Sequence, residues 1–557
     1  MPPKILKTPP GHSIPPQVPH NITFHFPGWD AVTTFRRGDP ELFASLRSIY
    51  PRLGPFFQAK ELMDRVHSAL GLDSSKSVVG FVDRHVFGIV GGLDLGCRGG
   101  EADEEEVVDL RVVEIGEVRL YVVVVPVDDT EATKKRVLGI WQNMGLVVST
   151  RLAEDLLSQE MNVLAADDEE DGKTKGGLAE SAAHGALRQK IAGLVGHGVS
   201  EGDVFLYPTG MAAVHQAMRV VLQQQGRRKN VVVGVGALFQ STWHVFKDAP
   251  GGFKHFGDVG PGLIQKLEAY VVEEKAAGRG GVAFVFVEFP SNPILESADL
   301  TGLRVLANKY DFLLIVDDTI GSFCNVDVLP VADILVTSLT KSFSGYANVM
   351  AGSLVLPPSS RHHPSLHLTA QALHTNTLYA RDAAVLLSNS ADYLTRSAIL
   401  NRNASAVASL LHSSISSLPT SPIKAVLYPP YTKTHENYLS FLRQHHPNPT
   451  PDFPSSPGYG CLLSIDFNSE PAARAFYETI QFHHTPHLGA HETLVLNLNV
   501  LAWSADAEMA AYQASFGVGQ LQVRISVGLE DVDVLLATTQ LALEAAAAAA
   551  AKAEQIE

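Results

Sequence analysis

Phe312-Leu-Leu-Ile-Val-Asp-Asp-Thr319 and Ile334-Leu-Val-Thr-Ser-Leu-Thr-Lys-Ser-Phe-Ser-Gly345 decide the reading of this chain. Each opens on a short apolar run rich in branched residues and closes on polar ones, the pattern of a strand covered on both faces that ends in a loop. Residues 230–235 and 282–287 have the same character, and helical patterns separate the runs between about Ala183 and Leu356. The alternation predicts an α/β fold with a mostly parallel sheet and helices on both faces. Ligands of open parallel sheets bind outside the carboxyl ends of the strands. Three polar clusters should therefore converge: Glu288-Phe-Pro-Ser-Asn292-Pro, Asp317-Asp318-Thr319, and Thr337-Ser338-Leu-Thr340-Lys341.

Working outward, a helical stretch over 382–412 leads towards a smaller α/β domain with strands over 460–467 and 522–527. The chain closes with a helix over 531–553, which includes a polyalanine run and favours helix strongly. Upstream, the proline-rich residues 1–20 should be extended and ordered only where they dock. Residues 21–154 mix aromatic and apolar segments around an acidic stretch at 101–106, and no catalytic residue stands out among them. A second acidic, glycine-containing run at 165–177 reads as a surface insertion. The organisation expected is an N-terminal region over 1–165, a large cofactor-binding domain over 166–390 and a small domain over 391–557.

A chain of 557 residues exceeds one hydrophobic core. With 45% hydrophobic and 18% charged residues, it has the composition of a globular protein. The net charge of −16 and the lack of a basic run argue against nucleic acid as partner and for small-molecule chemistry. Cys97, Cys324 and Cys461 are too few for a disulfide framework or a Cys-x-x-Cys zinc site. No continuous stretch of 18 uncharged apolar residues occurs, so neither membrane insertion nor secretion is expected, and the cytosol is the expected location. His483, His484, His487 and His491 cluster without a helical His-x-x-x-His pattern, and no metal is predicted.

An acid and a lysine at adjacent strand ends suit pyridoxal 5'-phosphate (PLP). Its ring draws electrons when its pyridine nitrogen is protonated, and a buried carboxylate such as Asp317 keeps it so. Lys341 would anchor the aldehyde and later move protons as a free amine. Tyr207-Pro-Thr-Gly210-Met211-Ala-Ala opens a helix whose backbone N–H groups suit a phosphate, with Ser338 and Thr340 as further donors. Taken singly, Lys341 reads as a surface lysine, Asp317 as a cap and Gly210 as a turn; the set is what points to a site.

Thr209-Gly-Met-Ala-Ala, Glu288-x-Pro-Ser-Asn-Pro, Val316-Asp-Asp-Thr, Thr337-Ser-Leu-Thr-Lys and Val523-Arg-Ile-Ser-Val-Gly-Leu-Glu-Asp occur in this order. Over about Leu187 to Leu541 the chain thereby resembles the Cys/Met-metabolism PLP enzymes of aminotransferase-like fold (fold type I). Gly11-His-Ser-Ile-Pro-Pro, Tyr50-Pro-Arg52 and Val148-Ser-Thr-Arg-Leu-Ala-Glu154 look like the extended fungal cystathionine γ-synthases.

The resemblance implies that Gly210, Met211, Ser338 and Thr340 surround the phosphate. Phe239 would stack on the ring where the family usually has a tyrosine, Asn292 would lie near the ring hydroxyl with Glu288 supporting that wall, and Arg524 would hold the substrate carboxylate. It implies γ-replacement on an O-acylhomoserine by cysteine to give cystathionine, in transsulfuration and methionine biosynthesis, by a homodimer or homotetramer. The alternatives are another nucleophile (sulfide, or carbon or nitrogen in specialised metabolism) and a catalytically silent relative acting by protein contacts. Family members send a Tyr-x-Arg or Arg-Tyr-Gly-Arg-type segment from a neighbouring subunit to the phosphate; residues 158–164 and the acidic insertion fall at the corresponding stretch, so Arg151 or Arg188 is expected to supply the cation, to the phosphate of the same or a partner subunit. His487-Leu-Gly489 stands where Ser-Leu-Gly is usual.

Overall fold

The computed structural model describes residues 8–90, 109–127, 132–164, 176–226, 230–278, 280–417, 421–444 and 457–555. Cys97, the acidic stretch 101–106 and most of the insertion 165–177 lie outside the described residues. Among the described residues the strands form three sheets.

The central sheet has the order β5 (Val204–Tyr207), β11 (Gly352–Val355), β10 (Ile334–Thr337), β9 (Leu313–Asp317), β8 (Val282–Glu288), β6 (Val231–Val235), β7 (Phe253–Phe256). The four expected runs all form strands of it, parallel to one another. The antiparallel member is β11, which pairs with both β10 and β5. Successive residues of a strand point to opposite faces. Val285 and Val287 of β8 accordingly enter one core, and Phe284 and Phe286 the other. Both faces of the strand need apolar residues, which is why the sequence shows a continuous run there rather than an alternation.

An N-terminal antiparallel sheet, order β1 (Lys76–Phe81), β3 (Val118–Pro126), β2 (Asp109–Ile115), β4 (Met161–Val163), was not anticipated as a unit. Helices Phe57–Ala69 and Thr150–Leu157 share its core. The C-terminal sheet has the order β12 (Ile423–Leu427), β13 (Leu462–Phe467), β16 (Gln522–Ser526), β15 (Leu494–Leu496), β14 (His483–His484). The helical stretch expected over 382–412 is two helices, Ala380–Asn389 and Tyr393–Ser417, separated by a 3₁₀ turn at Ser390–Asp392. The last helix, Val532–Glu554, is apolar and long enough to cross a membrane, yet it lays Leu535, Ala542, Leu543 and Ala546 into the C-terminal core.

The N-terminal segment docks as expected, but residues 10–20 follow a series of turns and bends rather than an extended path. Ile14, Phe24 and Phe26 are buried with Ala347, Met350, Leu494 and Leu496. Ile22 N donates to Ala347 O (2.7 Å), and Phe26 N to His484 O (3.1 Å). This seam carries residues 50–52 towards the carboxyl ends of the central strands.

Candidate active site

Glu288 and Asp317 are neighbours across β8 and β9 at the strand ends. Asp317 has the parity of Leu313 and Ile315, which face the core that helix Gly210–Gln224 also enters. It lines a cavity together with Gly210, Met211, Phe239, Asn292 and Lys341. Asp318 has the opposite parity: it is buried and its Oδ1 accepts from Thr337 Oγ1 (2.5 Å). Burial raises the pKa of Asp317, and hydrogen bonds from Thr319 work against that rise. Burial and the nearby Asp317 push Glu288 well above the ordinary carboxylate range. Glu288 accepts from Phe239 N (2.6 Å) and Asn292 N (3.3 Å), so it braces the two residues that form this wall.

The helix that begins at Gly210 is capped by Thr209, whose side chain accepts from Ala212 N, and its first residues line the cavity. A Cβ on Gly210 would lie 2.5 Å from Ser338 Cβ, so glycine lets the helix start and the lysine-bearing turn approach closely. Ser338 and Thr340 both line the cavity. Thr340 Oγ1 is committed to Ala351, donating to its O (3.1 Å) and accepting from its N (3.0 Å), so its hydroxyl proton is already used. Ser338 N donates to Thr319 Oγ1 (2.8 Å).

Lys341 is buried, and burial lowers its pKa below 10.5; Arg524 and Arg52 act in the same direction, Tyr50 in the opposite one. Its Nζ lies 5.3 Å from the centre of the Tyr50 ring and 3.5 Å from His487 Nδ1. Arg524, on β16, is buried and donates to Asn292 Oδ1 (3.2 Å) and His487 O (3.2 Å). It makes no ion pair with Glu530, which instead accepts from Thr493.

Neither of the two arginines expected to supply the cation lines the cavity of its own chain. Arg151 is buried in an ion pair with Asp382 (3.0 Å) and donates to Asn348 O. Arg188 pairs with Glu180. Residues 161–163 form β4 at the edge of the N-terminal sheet. The residues that reach the cavity are Tyr50 and Arg52, from the region in which no catalytic residue stood out. Arg52 is buried, donates to Ser241 Oγ (2.6 Å) and Gln142 O (3.0 Å), and lies 5.4 Å from the centre of the Phe239 ring. Burial works to raise the Tyr50 pKa, but Lys341 and Arg52 outweigh it and hold the phenol below 10. Tyr50 thus places a hydroxyl in a site whose Phe239 has none. The signal was present in the sequence as Tyr50-x-Arg52, nearly three hundred residues from Lys341.

The cavity therefore separates charge. Two carboxyl groups stand at one end without a cationic partner among the described residues, and Lys341, Arg52 and Arg524 stand elsewhere without an acidic one. A buried charge is costly unless paired. The arrangement fits a ligand that carries a protonated ring nitrogen, an aldehyde and a phosphate. Among the described residues, no group of His, Cys, Asp and Glu is placed to hold a metal ion.

Comparison with known proteins agrees with that fit. The cystathionine γ-synthase-like enzyme iboG1 of Amanita muscaria is 34% identical, with 98% of each chain covered. The alanine racemase ungC of Aspergillus violaceofuscus is 32% identical over 73% of this chain and 71% of its own. Among solved structures, the cystathionine γ-synthase of Xanthomonas oryzae pv. oryzae superposes with a TM-score of 0.54 at 23% identity, over 66% of this chain and 87% of that one, a likeness of fold. The family model described as "Cys/Met metabolism PLP-dependent enzyme" matches residues 178–544, and this chain belongs to that PLP-dependent, fold type I family.

Proposed function

We propose that the chain catalyses γ-replacement on an O-acylhomoserine, with cysteine as the nucleophile and cystathionine as the product. The observation that carries this reading is the convergence of Lys341, Asp317 and Arg524 on one buried cavity from three separate strand ends. PLP, when bound, supplies the sink for negative charge developing at substrate carbon. Asp317 holds the ring nitrogen protonated, and the cation in turn favours ionisation of its raised carboxyl. The start of helix Gly210–Gln224, Ser338 Oγ and Arg52 would hold the phosphate, the arginine as a planar donor fork. Phe239 and Asn292, which line the cavity, would cover the ring face and its hydroxyl edge.

Arg524 grips the substrate carboxylate. Lys341 removes the Cα proton and then a Cβ proton. The Cγ–O bond breaks with loss of the carboxylate, the cysteine thiolate forms the Cγ–S bond, and Lys341 returns protons to Cβ and then Cα, so that cystathionine and the free carboxylate are the net products. Beside the cofactor cavity lies a chamber of about 490 Å³ that shares Tyr50, Arg52, Phe239 and Asn292 with it; its charged lining residues are Arg36 and Arg52, a setting suited to anionic amino acids. The assembly proposed is a homodimer or homotetramer.

A second reading keeps the machinery and changes the nucleophile or the reaction. Phe239, Tyr50 and His487 favour it, since together they rearrange the proton-bearing groups around Lys341. Mass identification of the product from O-acetyl- or O-succinylhomoserine, with cysteine and competing nucleophiles present, tests the choice. Cystathionine as main product is expected; slow turnover with cysteine and fast turnover with another nucleophile would displace the first reading.

A further inference from the structure

The imidazole of His487 is packed beside the Tyr50 ring, with ring centres 6.1 Å apart. It is 1% exposed, and its Nε2 is buried without a hydrogen-bond partner among the described residues. Its Nδ1 lies 3.5 Å from Lys341 Nζ, at the long end of hydrogen-bond range. The loop that carries it is fastened to the lysine-bearing turn at two points. A Cβ at Gly489, whose φ is +74°, would come within 2.6 Å of Ser342 N, and His491 N donates to Gly345 O (2.8 Å). Gly489 N also donates to Ser526 Oγ (2.8 Å), which fixes the loop to the C-terminal sheet.

We propose that His487 is a positioning residue for Lys341: its Nδ1 accepts a hydrogen bond from the lysine amine and holds that amine in place whenever it is free of the cofactor. The inference rests on Lys341 being the cofactor lysine. The direction of the bond follows from charge. Burial first, then Lys341, Arg524 and His491, hold the imidazole well below 6.5, so it is neutral in the working pH range. A neutral ring that accepts at Nδ1 carries its proton on Nε2. The other groups facing the lysine are Tyr50, Arg52 and Arg524. Of these, the two arginines repel an ammonium, leaving His487 and Tyr50 as the acceptors that tether it. His487 does not line the cavity itself, so it acts on substrate only through Lys341.

Side-chain shape supplies the test. Asparagine at 487 places an amide oxygen near the position of Nδ1, glutamine places its amide further out, and leucine removes the acceptor. In His487→Leu and His487→Gln, kcat should fall about 10- to 100-fold through misplacement of the amine, with KM for the amino acid little changed. His487→Asn should stay within about threefold of the parent. In the apoprotein, the pH midpoint for reductive methylation of Lys341, read by peptide mass, should move down by about half a unit or more in His487→Leu, because a hydrogen bond to the ammonium favours it. Borohydride reduction of the loaded protein followed by peptide mapping separates the two levels of the argument. Cofactor on a different lysine would overturn the Lys341 assignment and this inference together. Cofactor on Lys341, with parent-like kcat and midpoint in His487→Leu, would overturn this inference alone.

Discussion

The two ends of the cavity are built in different ways. The carboxyl end, Glu288 and Asp317, comes from neighbouring strands of one sheet in direct register. The cationic end draws Arg52 from the N-terminal region, Lys341 from the turn after β10 and Arg524 from the C-terminal sheet. The first end is as rigid as the central sheet and is set by its pairing. The second exists only while three parts of the chain stay docked, so it is open to damage from residues far outside the cavity.

The comparison breaks most visibly at Lys341. Lys341→Ala should lower turnover by at least about 10³-fold, since both the covalent anchor and the proton carrier are lost, while thermal unfolding stays near that of the parent. Near-parental multiple turnover would move the catalytic lysine elsewhere. At the carboxyl end, Asp317→Ala should cost about 10²- to 10³-fold in kcat, and Asp317→Glu less. Asp318→Ala should instead act on stability, because burial pushes that carboxyl up to about 7 and Thr337 is its hydrogen-bond partner. Inactivation by Asp318→Ala with Asp317→Ala tolerated would show that strand parity has been misassigned.

Two arginines sharpen the contrast further. Arg52→Ala should weaken PLP binding about 10- to 100-fold, the worth of hydrogen bonds to a charged group, with little change in melting temperature. Arg151→Ala should leave PLP affinity nearly unchanged and cost about 3 kcal/mol of stability by stranding buried Asp382. Titration of PLP into each apoprotein, alongside denaturant unfolding, checks both. The reverse pattern would return the phosphate to Arg151.

A further test concerns the seam. Burial holds His25 and His483 at about 4 and His484 at about 3, against 6.5 when unfolded. Their contribution to stability is complete above about pH 6.5 and is lost as the pH falls towards 4, because the unfolded chain binds the protons first. Denaturant midpoints measured between pH 7.5 and 5 should fall, with release of PLP preceding loss of the central sheet. A flat profile would remove these histidines from the account.

Much of the carboxyl end was legible because its information is local. Continuous apolar runs marked β6, β8, β9 and β10, and the polar residues that followed β8, β9 and β10 marked the ligand side of the sheet. The antiparallel β11 was not legible, since a short buried run does not disclose its direction. Nor was the break at Ser390–Asp392, where the helical pattern continues on both sides. Arg151 and Arg188 were chosen for their nearness in sequence to the missing segment. Tyr50-Pro-Arg52 was noted only for its likeness to the extended fungal enzymes, because the cation was sought near residues 158–164; what brings Arg52 to the cavity is how Phe24, Phe26 and Tyr50 pack against Ala347 and Leu494.

Tyr50 and Arg52 enter the cavity of the same polypeptide that supplies Lys341, and this has a genetic consequence. Two damaged copies, one bearing Lys341→Ala and the other Arg52→Ala, should fail to complement each other when co-expressed at limiting cofactor, whatever the size of the assembly they form. Every cavity would inherit all of its lesions from a single chain. Activity in the mixture above the sum of the separate variants would mean that these two residues cross between copies.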